Sequence, residues 1–247
     1  MNTGLDEILE ASTFYSTNSP EVSRYLLKFS QNEINDLLDN KISTSTYQIN
    51  LRNYTANITG LNSDTTLEIY PISGSWNMGT GRYSNSPQVT NGVSWKYKST
   101  SGSGEWSTTF TAYVTASYPS TNSGGGTWYT GSALGLVITA SQTLSYSSDK
   151  DLNVNVTNIV RNWYSSSKSL GGFSNDGFII KQSNSSEFIA DLNYVTTVKY
   201  FSIDTHTIYP PCLEFRWRDY SFNTGSSTNS IINTSRLVAS LGDNNGY

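Results

Sequence analysis

Between residues 151 and 181 the hydrophobic pattern changes period twice. Leu152, Val154 and Val156 alternate with Asn153, Asn155 and Thr157. That period of two marks a strand with one buried face. Ile159, Val160 and Trp163 then share one face of a helix, and Thr157 or Asn158 is placed to cap its N-terminus. Residues 165–172 read as a loop. Asn175-Asp176-Gly177 reads as a tight turn, because glycine tolerates positive φ. Residues 178–181 return as a buried strand. The unit is strand, short helix, loop, strand, and Trp163 is predicted to plug the end of a β-sandwich.

The rest of the chain is patterned as short strands. Residues 22–29 form one strand. Residues 31–39 form a short helix, with Ser30 as its cap and Ile34, Leu37 and Leu38 facing inward. Strands follow at 47–54 and 67–70, then a brief one at 93–97. Residues 106–118 are a strand or a hairpin arm, 122–126 a flexible loop tip, and 133–140 an apolar strand. Strands at 195–203 and 213–218 end the pattern, the last with Leu213, Phe215 and Trp217 on one face. The expectation is an all-β fold: an antiparallel, jelly-roll-like β-sandwich of two sheets, with one or two short helices. A single domain is expected over residues 1–220, with a loop-rich insertion at about 73–130. Residues 221–247 are expected to be a linker and a C-terminal assembly arm, or the start of a truncated module.

Particular residues carry a family resemblance. Val156-Thr157, Ile159-Val160, Trp163 and Asn175-Asp176-Gly177-Phe178 resemble the β-sandwich domain named for an Asp-Asn-Arg-Leu-Arg-Glu motif, although that motif itself is absent. Members occur in bacterial surface and secreted proteins, and some are classed as carbohydrate-binding modules. Arg24 to Phe29 approximates the Arg-x-Leu-x-x-Phe run of that family. Trp76 to Gly81, Gly126 to Tyr129 and Cys212 to Trp217 resemble structural proteins of tailed phages, especially phages of marine cyanobacteria. The resemblance covers roughly residues 1–220 and implies a virion role without catalytic residues. It also implies that a strand normally precedes the Asn2-Thr3-Gly4 turn. Without that strand an edge stays open, and the apolar run at 237–241 is expected to pack on a neighbouring subunit or to complete this sheet.

Composition narrows the function. Of 247 residues only 14% are charged and 13% are aromatic, including 17 Tyr and 6 Trp, which favours a folded chain over a disordered one. The net charge of −4 and the lack of a basic tract argue against nucleic acid as a partner. No run is long enough to insert in a membrane, and no signal peptide is expected. A single cysteine, Cys212, leaves no internal disulfide and suits assembly in a reducing cytoplasm.

Catalytic chemistry finds little support in the pattern. His206 is the only histidine; it precedes a Pro-Pro turn and reads as a surface residue rather than a triad member. Cys212 reads as a small buried hydrophobe. Asp149, Asp151, Glu214 and Asp219 are the carboxylates available for glycosidic chemistry, but solvation or pairing of Glu214 with Arg216 or Arg218 is the simpler use. Asp149, Asp151, Asn175 and Asp176 offer oxygens to calcium, without a twelve-residue calcium loop. The glycine runs at 79–81 and 124–126 lack the Lys-Ser/Thr of a phosphate loop. Neither a metal nor a cofactor is expected.

Aromatic residues are the remaining candidates, because their faces stack on sugars and anchor interfaces. Trp163 and Trp217 read as core, whereas Trp76, Trp95, Trp106 and Trp128 lie in or beside the loop-rich insertion, where packing beneath loops and contact with a ligand or partner are equally open. The resemblance matches Trp76 and Trp95 to structural positions and so implies packing for that pair. Trp106 and Trp128, with Tyr129, are the candidates for stacking on a glycan or a partner. The function expected is that of a non-enzymatic component of a tailed-phage virion, in the tail, neck, fibre or capsid decoration, with a contribution to host-surface attachment. Its partners would be other virion proteins, copies of itself and a host-surface glycan. The alternative is a carbohydrate-binding module of a bacterial surface or secreted polysaccharide-acting protein.

Overall fold

The computed structural model describes residues 2–16, 19–42, 44–61, 63–100, 104–106, 114–116, 124–189, 191, 193–218 and 234–239. Sixteen strands can be assigned in them. They are β1 Ile8–Ser16, β2 Ser19–Ser23, β3 Tyr25–Leu27, β4 Tyr47–Asn53, β5 Thr55–Thr59, β6 Thr65–Pro71, β7 Val114–Ala116 and β8 Thr127–Tyr129. The others are β9 Ser132–Ala133, β10 Leu136–Val137, β11 Ala140–Leu144, β12 Leu152–Asn155, β13 Phe178–Gln182, β14 Val195–Phe201, β15 Cys212–Arg218 and β16 Thr234–Ala239. Helices are α1 Gln31–Asp36, α2 Thr157–Ser167 and α3 Asn184–Glu187.

The fold is an all-β antiparallel sandwich. Three four-stranded sheets, rather than two, enclose the core: β2-β1-β14-β5, β11-β6-β13-β3 and β12-β4-β15-β16. The sheets number three because two long strands bend and change sheets, which is how sandwich corners form. The run expected as one strand at 22–29 breaks at Arg24 into β2 and β3. Beyond Tyr54, β4 continues as β5. Within the core, Ile49, Leu51, Leu67, Ile69, Trp163, Phe178, Val198, Leu213 and Phe215 are buried to 1% exposure or less.

Both expected helices are present. Ser30 caps α1 by accepting the Glu33 N–H at 3.4 Å, and Ile34 is buried. A π-helical turn, Leu37–Lys41, prolongs it and is closed by the Ile42 N–H donating to the Leu37 carbonyl. The start of α2 differs from expectation. Thr157 is the first helical residue, and its hydroxyl accepts the Ile49 N–H at 2.8 Å. Asn155 instead accepts both the N–H and the hydroxyl of Thr157, at 3.0 and 2.7 Å. Trp163 lies fully buried, with its ring 4.6 Å from that of Phe178. α3 was not expected; its Ser-rich stretch carries no helical periodicity.

Three local expectations change. Residues 133–140 form no single strand, because Leu134 and Gly135 both take positive φ and turn β9 into β10. Residues 93–97 contribute only a bridge between Tyr97 and Glu105. Most of 106–118 lies outside the described residues, but Val114–Ala116 pairs with β8. At the far end, β16 pairs with β15 over six positions, from Leu213 opposite Ala239 to Arg218 opposite Thr234. The segment expected to pack on a neighbouring subunit or to complete this sheet supplies the fourth strand of the third sheet.

A pair of buried tyrosines gives the fold a pH dependence. Burial pushes the Tyr25 phenol well up, with the nearby Tyr200 next in effect. Burial also raises Tyr200, followed by the charges of Asp151 and Asp149. A raised phenol favours its neutral form in the folded state. This stability is complete below the unfolded value of about 10 and is lost as pH climbs through the folded values. Phenolate absorbance should therefore lag behind that of free tyrosine and rise with alkaline unfolding. A Tyr200→Phe variant in which the alkaline limit does not move would remove Tyr200 as a cause.

Candidate functional site

The described residues of the insertion between β6 and β9 include several that pack onto the sandwich. The sheet β11-β6-β13-β3 has two buried faces: Phe178 and Ile180 point to the main core, while Ile179 joins Ile72, Trp106 and Trp128 in a second cluster. Leu26, Tyr70, Trp76 and Val93 pack around that cluster. Trp76 also donates its indole N–H to the Asp176 carbonyl at 2.7 Å. The N-terminus ties the insertion down. Asn2, nearly fully buried, donates to the Met78 and Val93 carbonyls at 2.7 and 2.8 Å and accepts the Gly81 N–H at 2.9 Å.

This arrangement reverses the expected roles of the tryptophans. Trp106 and Trp128 are 2% and 3% exposed and present no ring face to a ligand. Trp128 stacks on Tyr70 at 5.7 Å, and the half-buried Tyr129 stacks on Phe173 at 4.4 Å. Trp95, expected to pack beneath loops, is 37% exposed. Spacing in a loop-rich stretch says nothing of a second core beneath it. The expected loop tip at 122–126 is likewise buried at Gly124, Gly125 and Gly126. A Cβ on Gly124 would lie 2.6 Å from the Trp95 carbonyl oxygen, so only glycine fits.

Within this layer sits a buried ion cluster. Arg24 binds Glu187 through Nε at 2.9 Å and through Nη2 at 2.5 Å, and donates to the Gly125 carbonyl at 2.6 Å. Its guanidinium lies 4.7 Å from the Trp95 ring centre and 5.4 Å from that of Trp128. Lys181 reaches Glu68 at 2.9 Å and Glu187 at 3.5 Å, and also bonds the Gln182 carbonyl and Asn184 Oδ1. Two positive and two negative groups balance. Burial, then the neighbouring Glu68, drives the Tyr70 phenol upward. Every charge has an opposite partner, which suits a structural cluster.

The other candidate chemistry is dispersed. His206 is exposed in a turn, and Cys212 is buried. Glu214 is held by Arg216 at 2.9 Å and by Arg52 at 3.2 Å. Asp151 accepts the Thr55 N–H, Asp149 accepts that of Asp151, and Asp176 accepts from Ser174 and Gly74. Asp219 lies outside the described residues. No group of three or more His, Cys, Asp or Glu positioned for a metal occurs among the described residues. No helix among them is long and apolar enough to cross a membrane.

A surface groove was not singled out by the sequence. It has a volume of about 870 Å³ and lies where the start of β4, the first turn of α2 and the end of β15 meet. Residues 46–48, 155–159 and 216–218 line it, with Val137 and Thr139 on the remaining side. Arg161 lies over the Tyr47 ring at 4.7 Å and donates to the Ser45 carbonyl. The groove joins four segments separated in sequence, so no local motif marks it. Comparison with protein-family models, curated proteins and solved structures yields no significant match.

Proposed function

We propose that the chain is a non-enzymatic structural component of a tailed-phage virion, and that its groove contributes to attachment at a host-surface glycan. The observation that carries this reading is the lining of the groove. It offers hydroxyl and amide groups from Thr46, Gln48, Thr139, Asn155 and Asn158, an aromatic ring from Tyr47, and, among the described residues, no carboxylate. Such a surface can hold a polar polymer but has no acid–base pair to cleave one. The virion assignment rests on the sequence resemblance. The same groove serves the second reading, a carbohydrate-binding module of a bacterial surface or secreted polysaccharide-acting protein.

Mass spectrometry of purified particles separates the two readings. A virion component co-purifies with particles at a fixed stoichiometry; recovery only from cell-surface or secreted fractions favours the second. Hydrolysis assays on polysaccharide, peptide and ester substrates should show no turnover. Turnover abolished by Asp151→Asn or Glu214→Gln would overturn the non-enzymatic assignment.

A further inference from the structure

We infer that the groove selects an acidic glycan, one carrying carboxylate or sulfate groups; this rests on the glycan-attachment reading above. The chain as a whole is acidic, with a net charge of −4, yet among the described residues the groove lining holds Arg216 and Arg218 and neither Asp nor Glu. The nearby carboxylate of Glu214 is buried, with its side chain 3% exposed, and is shared between Arg216 and Arg52. Arg161, behind Tyr47, adds a further positive charge beside the lining. Among the described residues, Arg216 and Arg218 in the lining and Arg161 beside it thus stand against one buried glutamate, and Arg218 is exposed to solvent.

Chemistry selects the ligand class. A guanidinium presents a planar fork of donors that matches carboxylate and sulfate oxygens. Asn155, Asn158 and Gln48 supply amides suited to sugar hydroxyls. Arg218, exposed to solvent, is assigned the primary anion contact. Arg216, oriented by Glu214, is assigned the second. The acidic remainder of the surface repels polyanions outside the groove, which favours a short acidic segment of a saccharide over a nucleic acid.

The test is titration calorimetry of the full chain against four probes of similar length: an oligouronate, a sulfated oligosaccharide, a neutral oligosaccharide and a single-stranded oligonucleotide. Binding of the oligouronate, the sulfated probe or both, weakening as salt rises, is expected, and the better of the two identifies the anion. Arg218→Ala should weaken it about ten-fold, the scale of one charge-assisted hydrogen bond, and Arg218→Lys should recover part of the loss. Lys96→Ala, which removes an exposed cation on the insertion, should change nothing. Circular dichroism of each variant confirms folding. Equal or tighter binding of the neutral probe, lost in Tyr47→Ala, would overturn acid selectivity while keeping the glycan reading. Binding of the oligonucleotide alone, or of no probe, would overturn both.

Discussion

Glu187→Gln should lower the stability of the fold by about 3–5 kcal/mol, the scale for breaking a buried ion pair from one side. The side chains of Arg24, Lys181 and Glu187 are 4%, 1% and 0% exposed. Glutamine keeps the shape but removes the charge, so two buried cations are left with Glu68 alone, itself 26% exposed. Urea unfolding followed by tryptophan fluorescence measures the change. Because Arg24 lies over Trp95 and Trp128, the native emission should also shift to the red. Arg24→Met combined with Glu187→Leu should be less destabilised than either single variant, since removing both partners leaves no orphaned charge between them. A loss below about 1 kcal/mol in Glu187→Gln, the scale of an exposed pair, would show the cluster to be solvated.

The second large effect is expected at Trp163. Trp163→Ala should cost about 3–5 kcal/mol as a large-to-small core change. Its ring meets Phe178 at 4.6 Å, and Phe178 in turn meets Phe29 edge-on at 6.1 Å. The hole would therefore open where α2, β13 and the segment leading to α1 converge. Trp163→Phe should cost much less: most of the ring volume remains, and the indole N–H it removes has no hydrogen-bond partner. A similar loss for both substitutions would mean that shape at this position, and not volume, sets the stability.

The unit around Trp163 was legible because its periods are local. Strand alternation at Leu152, Val154 and Val156, the helical face of Ile159, Val160 and Trp163, and the turn at Gly177 each rest on neighbours in sequence. Pairing of Glu214 with Arg216 and exposure of His206 were legible for the same reason. Bending of the long strands was not. Arg24 looks like one polar position in an apolar run until Glu187, 163 residues away, is brought against it. Trp106 and Trp128 were misplaced because a second hydrophobic cluster, built from the outer face of a sheet, has no periodic signature within a loop-rich segment. The groove stayed hidden because it is a meeting of Tyr47, Asn155 and Arg218, and only folding makes them neighbours.

The shared strands have a consequence for how the molecule comes apart. Through Arg24, β2 passes into β3 and joins the first sheet to the second. Through Tyr54, β4 passes into β5 and joins the third sheet to the first. Contacts between β11 and β12 join the second sheet to the third. The three sheets of the sandwich are thus linked in a ring, so that opening one disturbs its neighbours. Unfolding is therefore expected as one cooperative step, with an applied load on one sheet passed on to the other two.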